Sequence, residues 1–415
     1  MKNTIYKRTT ISCFVGIFTQ AIMTNLIAIL FIPLMTLYGF NYAQLGLLVA
    51  INFIAQVSAD ILFSGLIDKI GYRKMVLPTT VCSFVGLLML GFTPFFFPNN
   101  IFTGLIIATI IASFSSGLLE ILLSPIISAI PNNDKGPAMS LMHSFYAWGQ
   151  VLTIAITSLS IFIFGYNNWR YICFFWALVP LINYFMFYAS KFPKIIADHK
   201  RQNFKDLILK PFYLLSLGAI SFGACGEIIM NQWCSVFMEN GLGFDKITGD
   251  LIGMCGYAIM MGLGRTLYGV FGAKLKLHKA LILMSLCTAI CYVVAALSPF
   301  NFISMLACIL CGFMSSLLWP GTIVVASLKY PLAGAWMFAI LAAAGDIGAS
   351  YGPWLTGTIV ENSLSSPISE SLAFFLSVNQ EQASIRIGLL FAGMFPIFAM
   401  ICHIAMNKLK DKKDI

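Results

Sequence analysis

Charge is what this sequence has least of. Only 10% of its 415 residues are Asp, Glu, Lys or Arg, and four are His. Soluble domains carry about 25% charged residues, so a soluble enzyme or a pair of cytosolic domains is excluded. Motifs of soluble chemistry are missing too. There is no P-loop, which argues against ATP-driven transport. HExxH and a nucleophile elbow are both absent, so the chain is not expected to be an enzyme. The eleven cysteines all fall within apolar runs. Cys308 and Cys311 have CxxC spacing, but on one helix and without a second pair. They read as small buried hydrophobes, with no metal site, disulfide framework or cofactor implied.

What is present is apolar length. Hydrophobic residues make up 59% of the chain. A bilayer-spanning helix needs roughly 20 apolar residues, and twelve runs qualify: 10–37, 43–66, 75–96, 101–129, 137–164, 169–189, 211–238, 247–271, 279–298, 302–328, 334–360 and 385–406. A transmembrane β-barrel would show short alternating segments instead. The first run follows Lys2, Lys7 and Arg8 without a small-residue cleavage site and reads as a retained helix. The expectation is an all-α polytopic membrane protein with twelve transmembrane helices.

The formal net charge of +9 is a matter of topology. With both termini in the cytoplasm, 21 of 25 Lys and Arg fall in inside segments. Outside loops hold only Arg170, Lys246 and Arg386, and Arg265 lies inside a run. That asymmetry is a strong positive-inside signal and leaves no organised nucleic-acid site. The basic segment Lys191–Lys210 reads as a solvated linker.

That segment separates six runs from six, giving bundles at 1–190 and 211–415, and the halves resemble each other. YGFNYAQLGLL (38–48) matches LGFDKITGDLI (242–252), and GLLEILLSP (117–125) matches GFMSSLLWP (312–320). ADILFSGLIDKIGYRK (59–74) aligns with GRTLYGVFGAKLKLHK (264–279), pairing Asp60 with Arg265. Two pseudo-symmetric six-helix bundles with a site between them is a transporter plan.

Gly65-Leu66-Ile67-Asp68-Lys69-Ile70-Gly71-Tyr72-Arg73-Lys74, between the second and third runs, resembles the loop signature of the major facilitator superfamily. The resemblance implies that fold, a small-molecule substrate, a lipid-embedded monomer, and conformational roles for Gly65, Asp68, Gly71 and Arg73. Within the superfamily, the drug–proton antiporters carry an Arg in helix 4 and a Gly-Pro motif in helix 5, and both are absent here. Glu120 in the fourth run and Met142-His143-Ser144-Phe145-Tyr146 in the fifth resemble the fucose permease-like sugar:proton symporters. That branch often has an Asp in helix 1. Here Gln20, Thr24 and Asn25 occupy the first run, so the branch's proton path does not carry over whole.

Few ionisable residues lie away from helix ends: Asp60, Glu120, Glu227, Asp346 and Arg265, with His143 as a weaker base. At a helix centre such a group costs roughly 2.5–3.5 kcal/mol on insertion scales, so a functional reading is the default. Four acids facing one Arg cannot all be charged comfortably. Glu120, with no basic residue within a turn, is the first candidate for proton coupling, and Glu227 the second. The plain alternative for Glu120 is a permanently protonated side chain bonded to a backbone carbonyl. Glu227 and Asn231 share a helix face, with Trp233 following, a set suited to a polyol; inter-helix bonding is the bland reading. Asn52, Gln56 and Asp60 form a polar stripe whose repeat counterparts are Tyr257, Met261 and Arg265. Gln20, Asn25, Asn52, Gln56, His143, Tyr146, Tyr257 and Trp319 complete the candidate substrate lining. Asp60, Arg265 and Asp346 are candidate gating charges, with Asp60 expected to face Asp346 and Arg265 to face His143 or Tyr146. Static packing is the alternative for all three.

The expected function is proton-coupled uptake of a sugar or polyol across a bacterial inner membrane, with sodium an alternative to the proton. An exporter or organic-anion carrier of the same fold, or a non-transporting receptor on this scaffold, remain open.

Overall fold

The computed structural model describes residues 6–63, 66–130, 135–193, 209–271, 276–330 and 334–411. Among them every regular element is helical. Backbone contacts divide the chain into two compact units. One comprises Met1–Phe40 and Ile51–Ala197, the other Asn41–Ala50 and Asp198–Ile415. Most of the expected linker at 191–210 lies outside the described residues.

The first unit holds α1 (Lys7–Ile29), α2 (Phe31–Tyr38), most of α3 (Tyr42–Phe63), α4 (Ile67–Ile70), α5 (Tyr72–Phe96), α6 (Ile101–Ala129), α7 (Lys135–Phe164) and α8 (Trp169–Tyr188). Asn100 caps α6 by accepting from the Thr103 amide at 3.2 Å, which satisfies one orphan donor of the first turn. Gly71 has φ +95°, a conformation open mainly to glycine, and turns the chain between α4 and α5.

The second unit holds α9 (Pro211–Val236), α10 (Lys246–Thr248), α11 (Cys255–Phe271), α12 (Leu277–Leu297), α13 (Asn301–Ser315), α14 (Leu318–Lys329), α15 (Gly334–Ser363), α16 (Pro367–Leu376), α17 (Gln380–Ala392) and α18 (Met394–Asp411). Wider π-helical turns lie at Phe237–Gly241 and Gly249–Met254. Asp245 caps α10 through the Thr248 amide at 3.0 Å, and that bond holds its carboxyl below the usual carboxylate range.

Eleven helical stretches among the described residues are long and apolar enough to cross a membrane. The remaining expected run, 334–360, is α15, a continuous helix of 30 residues. Its Gly345-Asp346, Ser350 and Gly352-Pro353 dilute its apolar character. The protein is an integral, all-α membrane protein.

Several details differ from the sequence reading, and the runs 10–37 and 385–406 each fall into two helices, parted at Leu30 and Gly393. The run 302–328 is two helices, broken between Ser315 and Leu318. Pro320, in the first turn of α14, has no N–H to return to the Ser316 carbonyl four residues back. Arg386, expected in an outside loop, is 1% exposed inside α17. Its guanidinium donates to the carbonyls of Ala296 and Ser298 at 3.1 and 2.9 Å and to Asn301 Oδ1 at 3.2 Å. A cation there satisfies carbonyls left over at the C-terminus of α12.

Candidate functional site

In the first unit the polar residues of α1, α3 and α6 meet. Gln20 Nε2 donates to Glu120 Oε2 at 2.8 Å. Asn52 Nδ2 donates to the Met23 carbonyl at 3.1 Å, and Gln56 Nε2 to Asn52 Oδ1 at 2.7 Å. Ser116 Oγ donates to Gln56 Oε1 at 3.1 Å. Asn52 and Gln56, expected to line a substrate cavity, therefore pin α3 to α1 and α6. A Cβ on Gly117 would sit 2.6 Å from the Gln56 carbonyl oxygen, so only glycine allows this helix approach.

One turn further along both helices stand Asp60 and Glu120. Asp60 is 3% exposed, and neither of its carboxyl oxygens has a hydrogen-bond partner. Glu120 is the ionisable group that acts on it. Asn25 donates to the Ala21 carbonyl of its own helix at 2.8 Å.

In the second unit the charge is neutralised. Arg265 Nη2 meets Glu227 Oε1 at 2.6 Å, and Arg265 Nε donates to the Ser316 carbonyl at 3.2 Å. That carbonyl is the one Pro320 leaves without a helical donor. Tyr257 is fully buried; its hydroxyl donates to the Glu227 carbonyl at 2.8 Å and lies 3.1 Å from Ser315 Oγ. Gly312, the repeat counterpart of Gly117, lies against the Tyr257 carbonyl, again with no room for a Cβ. The ion-pair partner of Arg265 is thus Glu227. The reason is depth: α9 and α13–α14 bring a carboxylate and a free carbonyl to the same level as the guanidinium.

The remaining candidates divide. Asn231 is 3% exposed on α9, one turn past Glu227. Trp233 is 1% exposed, packed against Tyr42 with ring centroids 6.0 Å apart. Trp319 packs over Gly345, joining a cluster with Tyr213, Ile220 and Leu341. Asp346 is 3% exposed on α15. Tyr146 is partly exposed on α7. Arg73 Nη2 donates to the Tyr188 carbonyl at 2.9 Å, tying the loop to the end of α8. Gly65 and the side chains of Asp68 and His143 lie outside the described residues.

Three features escaped the sequence reading. Lys246 pairs with buried Asp250 at 2.7 Å and donates to Ser235 Oγ at 2.8 Å; the i, i+4 spacing was visible, but Lys246 was placed in an outside loop and Asp250 inside the next run. Tyr42 Oη donates to Glu381 at 2.5 Å and accepts from Asn240 at 2.9 Å, all within the second unit. Arg386 is the third. Asn379 and Gln382 form a capping box at the start of α17, a signal that places Arg386 two turns into a helix.

These helices, with buried ionisable groups within the membrane spans, define a polytopic membrane transporter. The sequence matches the model of the Major Facilitator Superfamily over residues 13–353, and the chain belongs to that family, whose members are transporters and not enzymes. Solved structures agree on the fold. One is a bacterial homolog to the human lysosomal transporter Spinster, at 15% identity and TM-score 0.76, with 97% of each chain covered. Another is a D-xylose-proton symporter, at 14% identity and TM-score 0.76, covering 94% of this chain and 96% of that one. A third is the fucose:proton symporter of E. coli, at 13% identity and TM-score 0.63, covering 97% and 99%. No curated protein matches the chain by sequence.

Proposed function

We propose that this transporter takes up a small polar solute, a sugar or related polyol, together with protons. It would work by alternating access of two six-helix bundles joined by the 191–210 linker, in a bacterial inner membrane with both termini cytoplasmic. One observation carries the reading. Glu120 lies in a membrane span, held by a neutral amide, and among the described residues it has no cationic partner. A carboxyl so placed is uncharged at low cost once protonated and expensive otherwise. Glu227 differs, because Arg265 balances it. The Glu227–Arg265 pair presents acceptors and donors suited to hydroxyls, with Asn231 beside it. The named substrates of the xylose and fucose symporters support the same solute class.

The test is uptake of D-xylose and L-fucose into proteoliposomes with an imposed pH gradient, preceded by a thermal-shift screen of both sugars and a wider sugar panel. Acid-outside gradients should drive accumulation by wild type, and Glu120→Gln should abolish the pH dependence while keeping counterflow. No sugar that stabilises or exchanges would remove the substrate class. Unchanged pH dependence in the variant would remove Glu120.

A further inference from the structure

Asp60 stands apart among the described charge-bearing side chains of the first unit. It is nine-tenths buried or more, and both carboxyl oxygens are unpartnered. A lone carboxylate in such a place costs several kcal/mol. A permanently neutral structural acid would instead be expected to donate its proton to a nearby carbonyl, and no such bond is present.

Its surroundings show what it faces. The contact of Ser116 with Gln56, one turn back on each helix, sets α3 and α6 side by side. Continuing that register brings Asp60 level with Glu120. Glu120 is the only ionisable group acting on Asp60 among the described residues, and Gln20 and Gln56, from α1 and α3, are neutral. Two carboxyls in this setting cannot both be ionised without mutual repulsion. Asp60 also lies in the last turn of α3, whereas Glu120 is more than two turns from the end of α6.

We propose that Asp60 is the second carboxyl of the coupling site and exchanges the transported proton with Glu120. This rests on the reading that Glu120 takes that proton. In the step, the proton leaves the Glu120 carboxyl and passes, through water, to an oxygen of ionised Asp60. Glu120 is left as the carboxylate, accepting from Gln20. Asp60 then releases the proton to solvent at the C-terminal end of α3. The pair carries one proton at a time, and Asp60 is an exit station for it, not a gating charge.

The experiment is an infrared pH titration of the full chain purified in lipid bilayers, following the carboxylic-acid C=O absorption. Difference spectra against Asp60→Asn and Glu120→Gln assign the bands. The second carboxyl to ionise does so against the charge of the first, so removing its neighbour should move that upper midpoint to lower pH by about one unit, a tenfold change in proton affinity. The lower midpoint belongs to a carboxyl whose neighbour is still protonated and should stay in place in the other variant. Asp60→Ser or Glu120→Ala stands in for a variant that does not fold. Single-variant midpoints that add up to the sum of the two wild-type midpoints would overturn the pair. A Glu120→Gln difference spectrum without any titrating band would instead overturn the reading beneath it. Dependence of the midpoints on sodium chloride against choline chloride would assign the site to a sodium ion and overturn the proton exchange.

Discussion

Arg265 and Glu227 form a 2.6 Å ion pair within the second unit, and the carboxylate is almost wholly buried. The first unit holds the opposite arrangement, two acids with no cation among the described residues. Charge is balanced in one repeat and left open in the other: Asp60 and Arg265 hold matching positions, but the acid near Asp60 is on the fourth span of its half and the acid near Arg265 on the first of its half.

Arg265→Ala leaves Glu227 buried and unpaired. Breaking a buried pair typically costs about 3–5 kcal/mol. Arg265 keeps 27% of its side chain exposed, so the low end, roughly 3 kcal/mol, is expected. Thermal unfolding in detergent should show it, and the double variant Glu227→Gln/Arg265→Gln should recover most of the loss.

Pro320→Ala returns an N–H that can bond the Ser316 carbonyl. Pro320 stands in the first turn of α14, where a proline is tolerated, so stability should change little. Arg265 would lose its second acceptor and the break between α13 and α14 would close. Transport should fall several-fold while melting temperature does not, measured on the same preparation.

Gly117→Leu pushes α3 away from α6, because the first added carbon already meets the Gln56 carbonyl. Overpacking of this kind costs about 1–3 kcal/mol. The variant should melt earlier, and the pH dependence of uptake should weaken with it, since Asp60 and Glu120 ride on those two helices.

Arg386→Met strands two carbonyls and the Asn301 amide oxygen. Hydrogen bonds from a charged group are worth about 1.5–3 kcal/mol, so a loss of at least that size is expected. Arg386→Lys should recover only part of it, because an ammonium lacks the planar fork. Fluorescence-detected size-exclusion of each variant measures the surviving folded fraction.

The spans were legible in the sequence, and so were the five ionisable residues Asp60, Glu120, Glu227, Arg265 and Asp346. Both follow from the cost of placing polar groups in hydrocarbon, which each window of sequence carries by itself. The break at Pro320 was half legible: a bend was visible, but not that the freed carbonyl would receive Arg265. Arg386 was misplaced because its run was started too late, though the Asn379–Gln382 box marks the helix start.

By itself, the sequence determined membrane residence, helical class, superfamily and which residues must justify their charge, because hydropathy, charge placement and a loop motif are local properties. Only the tertiary structure decided who meets whom: Glu227 for Arg265, Gln20 for Glu120, Tyr42 for Glu381. Those pairings depend on the rotation and depth of helices tens to hundreds of residues apart. Helical periodicity specifies a face for each residue, but not the neighbour that face will find.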